Sequence, residues 1–532
     1  MARSFFWYDL ETFGLEPRYD RIAQFAGLRT DENLEETGER IILYCKPTPD
    51  YLPSPQACLV HGITPQAAME EGLSDYGLAL RLRRELMEPG TTALGYNTLQ
   101  FDDEFLRSLF YRNFFDPYER EWRNGNGRWD LVDLMRAMRD LRPGGLVWPT
   151  GEGGRPIFTL EALAKANGVA HKSAHDAMHD VLATLGLARL AKARQPRLFD
   201  WYLSHRTRDS LRPLIDLVER SPLVHTAAAY TSERGCTTLV APISLDPENR
   251  NQLLAIDLRY DPAEILDLPV EELRRRVFTK AEELEVPRLP LARLRLNRCP
   301  FLAPRAALSP EAAERLGIDA AACEAHLSLI KKEPELIQKL SAVFEGPLPP
   351  SEESDPELRI YSDGFFPEED AEVFAALHEA LAEALAGAEG AAGAGLAASG
   401  AAPAGAAAAE GSGAAPGGEP AAGTASALLE TKARFYRRRF RDDRPPQMLR
   451  RFFARNFPET LGPEEARRWR GFCASRLQLP PVEGVADLAT FSKFVGQRLE
   501  TPSLPSRDKA ILLALLDYRS RLEREVLDYP GA

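Results

Sequence analysis

Cysteine is scarce in this chain. Six cysteines are spread over 532 residues, at Cys45, Cys58, Cys236, Cys299, Cys323 and Cys473, with no Cys-x-x-Cys among them. That pattern excludes a zinc ribbon and a disulfide framework and reads as a reducing compartment. No run of about 18 apolar residues occurs, so no membrane span is expected. The N-terminus reaches Asp9 before any apolar stretch of signal-peptide length. The expectation is a soluble, cytoplasmic protein. An excess of positive charge is also missing. The net charge of −13 argues against a polyanion binder held by overall charge, although a local basic groove would still serve. Hydrophobic residues make up 44%, enough for ordinary cores, and the length calls for about three domains at roughly 150 residues each.

The first ~200 residues alternate strand and helix patterns. Strands are expected at Phe5–Leu10, Ile22–Thr30, Ile41–Lys46 and Thr92–Tyr96. Helices are expected at Tyr76–Met87, Asp102–Tyr111, Trp129–Arg139, Leu160–Ala166 and, as a strong amphipathic helix, Asp176–Ala193. Such alternation predicts an α/β domain on a mixed sheet. From Trp201 to Phe344 the pattern turns more β-rich, with strands at Leu239–Ile243 and Leu253–Leu258 and helices at Glu311–Leu316 and Pro334–Phe344. Residues 348–372 read as an acidic, proline-containing linker, and Ala384–Ala427, nearly all small residues, as a flexible insertion. Leu428–Tyr529 reads as helices rich in Leu, Arg and Phe.

Asp9 and Glu11 lie two apart on an apolar strand, so both carboxylates face the same side. Buried together they would repel, and a divalent cation between them removes that cost. Two further segments join them. Gly95-Tyr96-Asn97 leads to Phe101-Asp102-Asp103-Glu104, and Ala174-His175-Asp176-Ala177-Met178-His179-Asp180 opens the last helix. Asp103 and Asp176 read as helix caps. His61 and His171 read as structural or surface residues.

Taken together these segments resemble the DEDDh 3′→5′ exonuclease superfamily. Within it they resemble the exodeoxyribonuclease I family, along with Phe110-Tyr111-Arg112-Asn113-Phe114, Arg128-Trp129-Asp130-Leu131, Pro247-Glu248-Asn249-Arg250-Asn251 and Ala454-Arg455-Asn456-Phe457-Pro458. The resemblance implies a ribonuclease H-like exonuclease domain over 1–199, an SH3-like α+β domain over 200–347 and a helical domain over 348–532, interrupted at about 384–427. It implies Asp9, Glu11, Asp102 and Asp180 as metal ligands and His175 as general base. Hydrolysing a phosphodiester needs an activated water and neutralisation of charge, and two Mg²⁺ ions ~4 Å apart supply both, with Mn²⁺ as the alternative. An imidazole of pKa near 6.5 suits the proton acceptor. Glu11 and Thr159 are expected to touch the terminal nucleotide. Related enzymes tend to carry a basic residue where this chain has Thr159.

Single strands are gripped by cations interleaved with aromatic platforms. By resemblance Arg107, Tyr118, Trp122, Arg136 and Arg142 occupy DNA-contacting positions, whereas Phe110 and Trp129 read as core. Thr431–Arg455 holds ten Lys or Arg against two Asp, net +8, with phenylalanines interspersed. It suits phosphate or an acidic peptide, and the resemblance implies the acidic C-terminal tail of single-stranded DNA-binding protein as a partner. The expected protein is a monomeric, Mg²⁺-dependent, processive 3′→5′ exonuclease of single-stranded DNA in repair and recombination. An exoribonuclease or proofreading exonuclease and a non-catalytic single-strand-binding scaffold are the alternatives.

Overall fold

The computed structural model describes residues 3–170, 176–345, 353–393 and 422–527. The first domain is built on β1 (Ser4–Thr12), β2 (Ile22–Thr30), β3 (Ile41–Tyr44), β4 (Thr91–Gly95) and β5 (Gly127–Asp130), in the order β3-β2-β1-β4-β5. β1 pairs antiparallel with β2 and parallel with β4, so the sheet is mixed. Its helices are α1 (Pro55–His61), α2 (Pro65–Glu71), α3 (Asp75–Leu86), α4 (Asp102–Arg112), α5 (Leu131–Leu141), α6 (Leu160–Ala166), α7 (Ala177–Arg194) and α8 (Pro196–Ser204).

Several local readings need correction. Trp129 lies on β5 rather than in a helix. It is fully buried against Phe199 and Tyr202, and the helix starts only after Asp130, whose carboxylate caps it through the Val132 N–H. Sequence reading missed α1 and α2, although each carries a plain start signal, Ser54-Pro55 and Thr64-Pro65. The last helix is not one-sided: Ala177, Met178, Val181, Ala183, Thr184, Leu185, Leu187, Ala188 and Ala191 are all buried, because it packs on β1 and β2 and also on α5, α6 and α8.

The second domain carries an antiparallel sheet of β6 (Leu223–Thr226), β7 (Thr237–Leu245), β8 (Gln252–Asp257), β9 (Leu291–Arg295) and β10 (Phe301–Pro304), in the order β10-β6-β7-β8-β9. Only β7 and β8 were legible in the sequence. Helices α9 (Arg208–Leu211), α10 (Val270–Phe278), α11 (Pro310–Leu316), α12 (Ala320–Lys332) and α13 (Pro334–Ala342) complete it. One apolar core runs from Trp129, Leu134 and Leu141 into Leu239, Ile256 and Phe301, so this domain is fused to the first rather than tethered.

The third domain is helical: α14 (Glu368–Gly393), α15 (Ala422–Tyr436), α16 (Pro445–Asn456), α17 (Pro463–Gln478), α18 (Leu488–Leu499) and α19 (Ser506–Val526). Two apolar clusters seat it on the first domain. One joins Phe13, Tyr19 and Tyr51 to Cys473, Phe491 and Leu515; the other joins Tyr76, Tyr111 and Phe114 to Phe374, Phe452 and Phe453. The margins of the expected insertion are helix, the ends of α14 and the start of α15, while 394–421 lies outside the described residues.

The expected linker is structural from 353 onward. Asp355 and Glu357 meet Asp50 in a buried cluster with four arginines. Arg455 bridges Asp50 at 2.7 Å and Glu357 at 2.5 Å, Arg451 reaches Asp355 at 2.5 Å, Arg476 reaches Asp355 at 3.4 Å, and Arg21 lies 3.6 Å from Asp50. Arg451 and Arg455 are therefore not surface cations, nor are Lys432, paired with Glu465, and Arg444, paired with Asp442. Of the aromatics between them, Phe435, Phe452 and Phe453 are core, while Tyr436 and Phe440 are half-buried. Among the described residues no helix is long and apolar enough to cross a membrane.

Candidate active site

The β1–β4 ladder ends at Trp7 opposite Leu94, short of the C-terminal half of β1. A cleft opens where parallel neighbours part in this way. Gly95 closes β4 at that point, where a Cβ would meet the Tyr8 carbonyl at 2.5 Å. The Leu10 N–H, freed from the ladder, donates to the Asp102 carboxylate at 2.9 Å. That bond fixes the first residue of α4 against the strand, between Asp9 and Glu11. Asp130 holds the preceding turn from below, accepting from the Asn97 N–H at 2.8 Å and the Leu99 N–H at 3.1 Å.

Asp180, in the first turn of α7, arrives from the other side. One carboxylate oxygen from each of Asp9, Glu11 and Asp180 falls within 4.8 Å of the others. A helix N-terminus favours such a charge. Burial raises the Asp9 carboxyl well above its usual range, and Asp102, Asp180 and Glu11 add to the effect. Burial, then Asp180 and Asp176, push Glu11 up to about 8. Burial also raises Asp102, against its own N–H and the Leu10 N–H, which favour its anion. Hard oxygen donors crowded in this way fit Mg²⁺ or Mn²⁺ and are relieved by binding them.

His175 lies outside the described residues, as does His171. Asp176 caps α7 through the His179 N–H at 3.3 Å. His61 accepts from the Ile63 N–H at 2.9 Å and sits beside the Thr12 carbonyl. Asp103 is not a cap: α4 has no side-chain cap, and Asp103 instead accepts from Tyr8 Oη at 2.6 Å, Arg120 at 2.5 Å and Arg128 at 2.6 Å. Burial opposes its ionisation, but Arg120, Arg128 and Arg107 hold its carboxyl far below the usual range.

The residues singled out for DNA do not form one exposed strip. Trp122 is 64% exposed, and Arg142 is exposed with its guanidinium on the Ala307 carbonyl. Arg136 pairs with Asp133 at 2.6 Å and lies over Phe158. Thr159 is the exposed N-cap of α6. Arg107 is 3% exposed, held by Glu104 and Glu121 and lying 5.0 Å over the Tyr118 ring. Sequence reading passed over Glu104, Glu121, Arg120, Arg128 and Asp130 as positioning groups, because their partners are remote in sequence.

Family models match the chain in three places: a model described as Exonuclease over residues 6–188, an Exonuclease I SH3-like domain over 206–346 and an Exonuclease I C-terminal domain over 427–522. Exodeoxyribonuclease I of Escherichia coli K12 is 44% identical over 368 residues, covering 69% of this chain and 77% of that protein. The Haemophilus influenzae enzyme is 43% identical over 385 residues, covering 72% and 81%. Exonuclease I from Methylocaldum szegediense superposes with a TM-score of 0.84 at 38% identity, covering 98% of this chain and all of that one. Escherichia coli Exonuclease I in complex with a dA16 oligonucleotide superposes with a TM-score of 0.84 at 35% identity, covering 98% of this chain and 100% of that one. A zinc-bound form of the Escherichia coli enzyme with single-stranded DNA superposes with a TM-score of 0.83 at 36% identity, with the same coverage. From the acidic cleft of its first domain to the helices of its third, this chain belongs to the exodeoxyribonuclease I family.

Proposed function

We propose that this enzyme degrades single-stranded DNA from the 3′ end to 5′-mononucleotides, processively, with two divalent cations, Mg²⁺ by preference and Mn²⁺ as the alternative. The observation that carries the proposal is the convergence of Asp9, Glu11 and Asp180 within 4.8 Å, with Asp102 tied to the strand between them. When bound, the cations supply an acidic site for the attacking water and neutralise charge on the leaving 3′-oxygen. Asp9, Glu11, Asp102 and Asp180 hold them, and Glu11 also borders the terminal nucleotide. His175 takes the proton from the water, a role that rests on the family resemblance. Thr159 lies at the mouth of the terminal subsite, and Arg107, Tyr118, Trp122, Arg136 and Arg142 hold the strand.

The relatives crystallised with single-stranded oligonucleotides support this substrate. Repair and recombination in the cytoplasm by a monomer, recruited by the acidic tail of single-stranded DNA-binding protein, complete the reading. Product analysis of a labelled single strand with and without Mg²⁺ tests it. Mononucleotides released in order from the 3′ end, only with metal, are expected. Internal cuts, or RNA consumed as fast as DNA, would overturn it in favour of an endonuclease or an exoribonuclease.

A further inference from the structure

Three consecutive acids open α4, and each goes to a different place. At 100° per residue they leave the helix in three directions. Asp102 faces the metal cleft and Asp103 the arginines beneath it. Glu104 reaches beyond the exonuclease domain. Its Oε1 accepts from Arg298 Nη2 of the SH3-like domain at 2.6 Å and from Arg107 Nη1 at 2.9 Å, and its Oε2 accepts from the Tyr361 hydroxyl of the C-terminal domain. A second tie runs alongside: Arg128, bound to Asp103, donates to the Asn297 carbonyl at 2.9 Å. Arg107 lies over Tyr118, whose ring meets Phe365 of the C-terminal domain edge-on at 5.4 Å.

Glu104 is half-buried, so its charge-assisted bonds are stronger than those of a surface pair. It stands 200° around the helix from Asp102 and does not face the reacting atoms. We propose that Glu104 is the positioning residue that fixes the SH3-like and C-terminal domains to each other across α4, so that a strand lying among the three domains escapes slowly between cuts. This rests on the processive reading given above. A bare carboxylate near a phosphate path would repel DNA, and Arg107 and Arg298 neutralise this one.

The full-length wild type, Glu104→Gln, Arg298→Gln and the double variant are loaded on an end-labelled single strand. Mg²⁺ is then added together with a heparin trap, and the run length and the single-turnover rate of the first cut are measured. Glu104→Gln is expected to shorten the run about tenfold or more, the equivalent of one charge-assisted bond, with the first-cut rate within about twofold of wild type. Arg298→Gln should give part of that loss, and the double variant no more than Glu104→Gln alone, because both act through one carboxylate. A wild-type run in Glu104→Gln overturns the proposal. So does a first-cut rate that falls in step with run length, or a double variant whose losses add. If the wild type itself releases one nucleotide per encounter, the processive reading fails. The bridge is then judged by amide exchange: faster exchange over 296–300 and 359–366 in Glu104→Gln supports it, and unchanged exchange sinks it.

Discussion

Asp50 and Glu357 are buried as deeply as Asp102, at 0%, 4% and 5% exposure, yet the two acidic clusters behave in opposite ways. Around Asp50, burial works against ionisation and Arg455, Arg21 and Arg476 overcome it, so the carboxyl falls well below its usual range. Glu357 is lowered in the same way by Arg455, Arg451 and Arg476. In the cleft the described charged neighbours acting on Asp9 are the carboxylates of Asp102, Asp180 and Glu11, and burial and repulsion push the same way. The first cluster carries its own cations on fixed side chains and holds two domains together. Among the described residues the second is left short of positive charge, and that shortage is what a mobile divalent ion fills. Burial alone does not mark a functional acid; the sign of what surrounds it does.

The comparison can be broken most sharply at Asp180. Asp180→Ala is expected to lower nucleotide release by about a thousandfold or more, since a ligand to the developing charge is lost, while oligonucleotide affinity in EDTA stays close to wild type. Release at the wild-type rate would remove Asp180 from the site. At the other cluster, Arg455→Met strands Asp50 and Glu357 without their shared cation and should cost about 3–5 kcal/mol in urea unfolding. A cost near zero would show that the remaining arginines suffice.

The smallest effect is one of pH. Glu11 titrates in the fold near 8, above its unfolded value of about 4.3, so ionising it costs more folded than unfolded. Metal-free stability should therefore be greatest below that unfolded value and decline as pH rises to about 8. Mg²⁺ should cancel the slope. The Asp50 and Glu357 contribution has the opposite sign: it is full above about 4 and lost only as pH falls below that toward their depressed folded values. Stability curves with and without EDTA that run parallel across this range would refute the distinction.

The gathering of acids at the end of β1 was legible because its signal is local: a strand with i and i+2 carboxylates, a helix opened by Asp102, a helix opened by Asp176 with Asp180 in its first turn. The Asp50 cluster was not, because Arg455 meets Asp50 from 405 residues away, and within Thr431–Arg455 nothing local separates it from exposed Arg450. Asp103 was misread for the same reason. Its helix-start position suggested a cap, while its partners Tyr8 and Arg128 lie 95 and 25 residues off. β5 was absorbed into the helix after it because four buried residues have no period to distinguish strand from helix. Short apolar runs between polar turns recovered β7 and β8 but not the shorter β6 and β10, of four residues each.

α14 and α15 pack side by side, with Ala384 and Leu428 in one apolar cluster, and chain 394–421 joins them. Bringing the two ends of a connection together costs free energy that grows only with the logarithm of its length. This hairpin is therefore a natural splice point. A reporter domain or affinity handle grafted there would give single-molecule work an anchorage that leaves both termini untouched.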